Sequence, residues 1–245
     1  MQNVLKNRTN QTNSAIVEEN TYKLSGGQKI YRFIKAIADF FIALVAIIVL
    51  SPVYIITAIA IKIDSKGPVF FVQKRIGKNG KLFGCIKFRS MSQEANHAIA
   101  GYEYKNAESY VTRVGAFIRK TSIDELPQFF NILAFQMSLI GYRPSQSNEK
   151  ELNDARESYD MYQIRPGISG WAQVNGRDVL AAQPTKKAQF DAYYLKHFSP
   201  WLDIKIFFMT IINVFKHSDV VEGVIDEPKE ADEQSNEVIA QQRAE

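Results

Sequence analysis

The tightest constraint on this chain is a run of 22 residues without a formal charge, Phe40–Ile61, reading FFIALVAIIVLSPVYIITAIAI. As a helix it would extend roughly 33 Å, enough for a hydrocarbon core of about 30 Å. Ser51-Pro52 interrupts it just past the middle. Proline lacks an N–H and crowds the carbonyl four residues back, here that of Ile48, so a helix bends or breaks there. The Ser51 hydroxyl can satisfy a carbonyl freed by the break. A spanning helix gathers Lys and Arg on one side. Here Lys23, Lys29, Arg32 and Lys35 precede the run, and Lys62, Lys66, Lys74, Arg75, Lys78 and Lys81 follow it. Basic residues at both ends favour a helix–break–helix that enters one leaflet and turns back, with a single kinked crossing as the alternative. The run begins too far into the chain and is too long for a signal peptide, and it lacks a small-residue cleavage site.

Composition sets the remaining bounds. A length of 245 residues suits one domain with appendages. The formal charge is +4, but residues 226–245 hold seven acidic residues against Lys229 and Arg243, so the body is more basic than the total. A basic body beside a membrane segment suits anionic headgroups and phosphorylated substrates. Its Lys and Arg are scattered without a binding motif, which argues against nucleic acid. The single Cys85 excludes an internal disulfide and fits a reducing compartment. His97, His197 and His217 have no zinc-ligand spacing.

Along the chain, residues 1–28 read as a polar, disordered arm ending at Ser25-Gly26-Gly27. After the apolar run, Asp64–Pro68 and Gly77–Gly80 are turns. The strand-like Val69–Val72 and Leu82–Phe88 then form a β-hairpin. Residues 93–111 read as loop or exposed helix, 146–163 as an exposed charged helix, and 165–177 as a Gly-punctuated loop. Phe190–Phe198 reads as a short helix, and Trp201–Phe215 as a core or interfacial helix. The tail from Asp226 is solvated.

Asp124-Glu125 is the adjacent acidic pair of the body set in apolar surroundings. Carboxylates serve as nucleophiles, acids, bases or Mg²⁺ ligands. Spacing alone favours a plainer role: Ser122-Ile-Asp-Glu125 fits a capping box, and Asp124 could itself be an N-cap with Pro127 in the first turn. Arg119, Arg143, Arg165 and Arg177 recur near turn residues, the last three beside Gly or Pro. A guanidinium fork suits phosphate, and glycine lets backbone approach a ligand. Gly77-x-x-Gly80-Lys81 is too short for a Walker loop. Trp171 reads as a packing anchor. These residues leave open an enzyme acting on phosphorylated substrates or a non-catalytic adaptor that binds acidic lipids.

The order of segments resembles the bacterial sugar transferases, the monotopic polyprenyl-phosphate phosphoglycosyl transferases. The matching text is Ser-Pro within the apolar run, KIDSKGPVFFVQKRIGKNGKLFGCIKFRSM (62–91), RKTSIDELPQFFNIL (119–133), MSLIGYRP (137–144), RPGISGWAQVNGR (165–177) and FDAYYLKHFSPWLDIKIFFMTI (190–211). The family usually has Gly-Pro-Arg-Pro where this chain has Gly141-Tyr142-Arg143-Pro144, which bears on the rigidity of that turn. The resemblance implies that Asp124 attacks the β-phosphate of a UDP-sugar, carrying galactose or glucose, and that UMP leaves. A polyprenyl phosphate, such as undecaprenyl phosphate, then accepts the phosphosugar, the initiating step of exopolysaccharide, capsule or glycoconjugate assembly. It implies that Asp124 and Glu125 hold Mg²⁺, and that Lys87, Arg119, Arg143, Arg165 and Arg177 contact phosphate or nucleotide.

The expected fold is α/β, mainly α: a monotopic membrane protein with a re-entrant helix–break–helix at Ser51-Pro52, a small β-hairpin and amphipathic interfacial helices around a compact catalytic domain. The expected division is a disordered arm at 1–28, the re-entrant helix at 29–62, a catalytic domain at 63–225 facing the cytoplasm, and a disordered acidic tail at 226–245. Some relatives carry spanning helices before the catalytic part, so this chain reads as the minimal form at the inner membrane. Membrane lipids are expected partners, nucleic acid is not, and a homo-oligomer is compatible.

Overall fold

A computed structural model describes residues 22–92, 110–176, 180 and 182–216. The arm at 1–21, most of the polar stretch 93–111, Arg177, His97, His217 and the acidic tail lie outside the described residues.

The first helix, α1, runs Gly26–Val49. Ser25 accepts from the Gln28 amide through its hydroxyl, and Gln28 returns a side-chain oxygen to the Ser25 N–H, at 3.2 and 3.0 Å. This capping box starts the helix inside the segment expected to be disordered. The helix stops at Leu50, and α2 (Ser51–Asp64) begins with Pro52 in its first turn, where a missing N–H costs nothing. The two helices are bent by 61° at this break. No single helix among the described residues is long and apolar enough to cross a membrane, although the bent pair is so in length and composition. The continuous 22-residue helix considered from the sequence therefore does not form.

The hairpin forms, with a first strand longer than the expected Val69–Val72: β1 (Phe70–Ile76) pairs antiparallel with β2 (Leu82–Phe88), Phe70 opposite Phe88 and Ile76 opposite Leu82. Asn79 takes a positive φ of 58° and Gly80 one of 69°, closing the tip. Helices α3 (Arg113–Lys120) and α4 (Gln128–Leu133) flank a short 3-10 turn, Ile123–Glu125. Strand β3 (Ser138–Ile140) pairs parallel with β4 (Gly167–Ser169). Between them lies α5 (Lys150–Ser158); after them come α6 (Trp171–Val174), α7 (Pro184–Lys196) and α8 (Pro200–Lys216). The described chain is thus mainly helical, with one small antiparallel sheet and a bent helix pair.

Two expectations change. The segment 146–163 is not simply exposed: α5 buries Leu152, Asn153 and Arg156. Arg156 is wholly buried, donating to Asp191 on α7 at 2.6 and 3.0 Å and to Ser145 at 3.1 Å. The loop 165–177 contains β4 and α6, and its glycines serve backbone packing. A Cβ on Gly167 would come within 2.1 Å of the Gly141 nitrogen, and one on Gly170 within 1.9 Å of the Gly141 carbonyl. Trp171 packs as expected, stacked on Tyr193 at 5.2 Å.

The helix pair belongs to the core. Ala43 of α1 packs with Phe83, Cys85, Ile132 and Met137, while Ile61 of α2 packs with Phe88 and Ile118. Arg89 donates to the carbonyls of Ser65 and Lys66 at 2.8 and 2.6 Å, closing the C-terminal end of α2. Lys35 is read from the sequence as flanking charge, but it is buried. It reaches Asp203 of α8 at 2.8 Å and Asp39 at 3.4 Å. Ser138 donates to Asp39 Oδ2, and Tyr31 and Tyr194 donate to Asp203. On the outer faces of α1, α2 and α8 the large apolar residues are exposed, among them Phe33, Phe41, Ile48, Ile56, Ile63, Trp201 and Phe208.

Candidate active site

Asp124 and Glu125 sit on the 3-10 turn after α3. Ser122 enters it in the left-handed conformation, φ 57°, and Pro127 directs the chain into α4. Ile123 and Leu126 pack against the cluster of Ile61, Phe88 and Ile118, anchoring the turn from one side. Both carboxylates are buried, at 6% and 8% exposure. The capping expectation fails here: the Ser122 side chain makes no cap bond, and the residue before α4 is Pro127, not Asp124. The left-handed Ser122 diverts the backbone before a regular helical turn can use its hydroxyl.

Two cations converge on one oxygen. Lys87 of β2 and Arg143, just after β3, donate to Glu125 Oε1 at 2.9 and 2.8 Å. Two cations on one buried carboxylate oxygen offset the cost of taking that charge out of water. Arg75 of β1 adjoins the same group. It donates to Gln73, to the Pro144 carbonyl and, at 3.5 Å, to Glu149. Burial, and then Arg143, push its guanidinium below the ordinary arginine value. Sequence reading used Arg75 only as flanking charge. Its signal was the alternation of β1, which puts Gln73 and Arg75 on one face.

The remaining candidates diverge. Arg119 donates from Nε to Ser90 at 2.8 Å. Arg165 turns towards α1 and lays its guanidinium over the Phe135 ring, 5.3 Å from the centroid. Arg177 lies outside the described residues. Cys85 is buried between the strands and α4, and burial pushes its thiol up, which suits an inert core residue.

Among the described residues no cluster of three or more His, Cys, Asp or Glu could hold a metal by itself. Adjacent residues of a 3-10 turn point about 120° apart, so Asp124 and Glu125 do not present parallel carboxylates. The arrangement can hold a polyanion against Lys87, Arg143 and Arg75 while a buried carboxylate lies alongside. Tyr54 of α2 donates to the Leu126 carbonyl at 2.6 Å, so the apolar helix pair is bonded to this turn.

Residues 30–217 match the family described as bacterial sugar transferase. Among similar proteins is the UDP-N-acetylgalactosamine-undecaprenyl-phosphate N-acetylgalactosaminephosphotransferase of Aeromonas hydrophila, 47% identical over 74% of this chain and 44% of the relative. The UDP-glucose:undecaprenyl-phosphate glucose-1-phosphate transferase of Escherichia coli K12 is 37% identical over 87% of this chain and 46% of its own length. The exopolysaccharide production protein ExoY of Sinorhizobium fredii is 34% identical over 71% of this chain and 81% of its own. The chain thus spans less than half of the first two relatives and most of the third. On this match, and on its own ordered motifs, the chain belongs to the bacterial sugar transferase family.

Proposed function

We propose that this protein transfers a sugar 1-phosphate from a UDP-sugar to a polyprenyl phosphate and releases UMP, starting a polysaccharide or glycoconjugate. The observation that carries the reading is a buried Asp-Glu pair whose glutamate is gripped by Lys87 and Arg143, on a turn bonded to a bent apolar helix pair. The names of the relatives support the same substrate classes, and they carry both N-acetylgalactosamine and glucose.

In this mechanism an Asp124 carboxylate oxygen attacks the β-phosphorus of the donor. The bond from that phosphorus to the bridging oxygen breaks, and UMP departs with its electron pair. The phosphosugar is left as an acyl phosphate on Asp124. A phosphate oxygen of the polyprenyl acceptor then attacks the same phosphorus and expels the carboxylate. Lys87 and Arg143, with Arg75 behind them, hold the diphosphate and stabilise charge on the transferring group. Glu125 fixes these two cations in place. Asp124 and Glu125 offer hard carboxylate oxygens beside a diphosphate site, which fits Mg²⁺, an ion that takes its other ligands from phosphate and water. When bound, it supplies charge neutralisation of the diphosphate. Arg119 and Arg177 remain candidates for nucleotide contacts.

The helix pair enters one leaflet and returns, with residues 29–62 in the membrane and the body on the cytoplasmic face. The 61° bend, the exposed apolar residues of α1, α2 and α8, and basic residues on both flanks support this. Cysteines introduced at Lys23 and Phe70 in a Cys85→Ser background should react with an impermeant maleimide from the same side. Labelling from opposite sides would make the segment a crossing.

Asp124→Asn tests the chemistry. With UDP-sugars, Mg²⁺ and undecaprenyl phosphate, UMP release should fall by about 10³-fold or more, and a radiolabelled phosphosugar adduct should vanish. An adduct on the Asn variant would sink the nucleophile assignment. Folded wild-type protein that releases no UMP from a broad donor panel would favour the adaptor.

A further inference from the structure

Three cations gather on the α1 side of the body, away from Glu125. Arg32 of α1 donates to the Gln163 carbonyl at 3.1 Å. Arg32 and Arg165 line one small cavity, together with Lys35, Asp39 and Ser138. Lys78 belongs to the hairpin tip, Lys78–Gly80, which lies against the Met161–Gln163 turn. Among the described residues none of the three is in an ion pair. The nearby carboxylate, Asp39, is occupied by Ser138 and Lys35. Arg165 Nε is buried with no hydrogen-bond partner. Burial, followed by Arg32 and Arg165, disfavours the charge on Lys78; burial also disfavours that on Arg165. Like charges brought together while partly desolvated are costly unless an anion joins them.

The notch borders an apolar wall. Phe135 lies under the Arg165 guanidinium and stacks on Phe40 of α1 at 5.4 Å; Phe41 meets Phe40 edge-on at 5.6 Å, and Phe33, two helical turns earlier in α1, is exposed. A cationic notch against exposed aromatic rings suits an amphiphile with a charged head and hydrocarbon tails. A soluble anion would use only the cations.

We propose that Arg32, Lys78 and Arg165 form a site for the phosphate of an anionic membrane phospholipid, whose acyl chains run along Phe33, Phe40 and Phe135. The site is separate from the Asp124-Glu125 turn. Lys78 and Arg165 lie on two body segments and Arg32 on α1, so one bound headgroup would join the membrane helix to the body. The proposal depends on the membrane reading only for the source of the lipid.

Native mass spectrometry of the full chain in detergent, with equimolar phosphatidylglycerol and phosphatidylcholine, tests it. One phosphatidylglycerol should be retained in preference. Lys78→Gln and Arg165→Gln should each weaken that preference about fivefold, while Lys66→Gln on the exposed surface leaves it unchanged. Equal loss in Lys66→Gln would mean diffuse surface charge and overturn the site. So would unchanged retention in the Lys78 and Arg165 variants. Displacement by millimolar inorganic phosphate would make the occupant a free anion, and preferential retention of undecaprenyl phosphate would make it the acceptor; either result overturns the lipid assignment. Flotation with phosphatidylglycerol vesicles separates the readings. Wild-type protein that does not float removes the membrane reading, whereas protein that floats without lipid preference removes this proposal alone.

Discussion

Tyr54 and Leu126 are 72 residues apart, yet the tyrosine hydroxyl donates to the leucine carbonyl at 2.6 Å. The Tyr54 ring rests against Phe88 and Phe130, at 5.6 and 5.8 Å. The helix after the break is therefore fixed to the residue that follows the acidic pair. Tyr54→Phe keeps the ring packing and leaves the carbonyl with the Phe129 amide at 3.0 Å as its partner, so the lost bond costs about 1 kcal/mol. In the proposed mechanism, donor-only adduct formation should keep its rate while acceptor-dependent turnover falls several-fold. Rapid-quench comparison of the two steps, with thermal unfolding in detergent, checks this.

Lys35 sits between two buried carboxylates, Asp39 and Asp203. Lys35→Ala should cost about 3–5 kcal/mol, because it leaves both without their cation. Adding Asp203→Asn should recover a large part of the loss. Denaturant unfolding of both variants in detergent measures the difference, and equal destabilisation would count against the ionic role.

The Tyr142 hydroxyl is buried with no hydrogen-bond partner, and burial pushes its phenol above the ordinary value. Its ring supports the Arg156 guanidinium, 4.9 Å from the centroid. Tyr142→Phe retains that contact and removes the orphan group. It should raise stability by about 1 kcal/mol or leave it level, read as a higher melting temperature. A clear loss would mean that the hydroxyl is satisfied by water.

Lys187 is lowered to about 8, first by burial and then by Arg156, with Arg143 adding to the effect and Asp191 and Glu149 opposing it. Its folded value lies below the unfolded one. Between about pH 8 and the ordinary lysine value of roughly 10.4, the unfolded chain therefore holds the extra proton, and stability rises with pH. Below pH 8 both states are protonated and the cost is fully present. Lys187→Gln should be more stable than wild type at pH 7, and the gap should close as pH rises through that window. Melting curves at pH 7, 9 and 10.5 test the sign.

The sequence made legible what neighbouring residues determine. Pro52 located the break, the Gly77–Gly80 turn located the hairpin, and the apolar setting of Asp124-Glu125 marked the pair. Contacts across the chain were hidden. Nothing near Glu125 announces Lys87, 38 residues earlier, or Arg143, 18 later. Lys35 and Arg156 looked like solvated charge because their carboxylate partners, Asp203 and Asp191, lie on later helices. One local cue existed: Lys35 and Asp39 stand one helical turn apart at the mouth of an apolar run, where an unpaired charge would be expensive. The capping box at Ser122 misled because spacing cannot reveal a left-handed residue at its start.

The bond from Tyr31 to Asp203 spans 172 residues, so the two ends of this ionic group leave the ribosome far apart in time. At about 5–20 residues per second, the interval is on the order of ten to thirty seconds. During it Lys35 has Asp39, four residues on in the same helix, as its counter-charge. Until then the Lys35–Asp39 pair neutralises itself within the first helix, and it exchanges into the shared network once α8 arrives. Assembly of the interface is a late event, set by the arrival of the last helix.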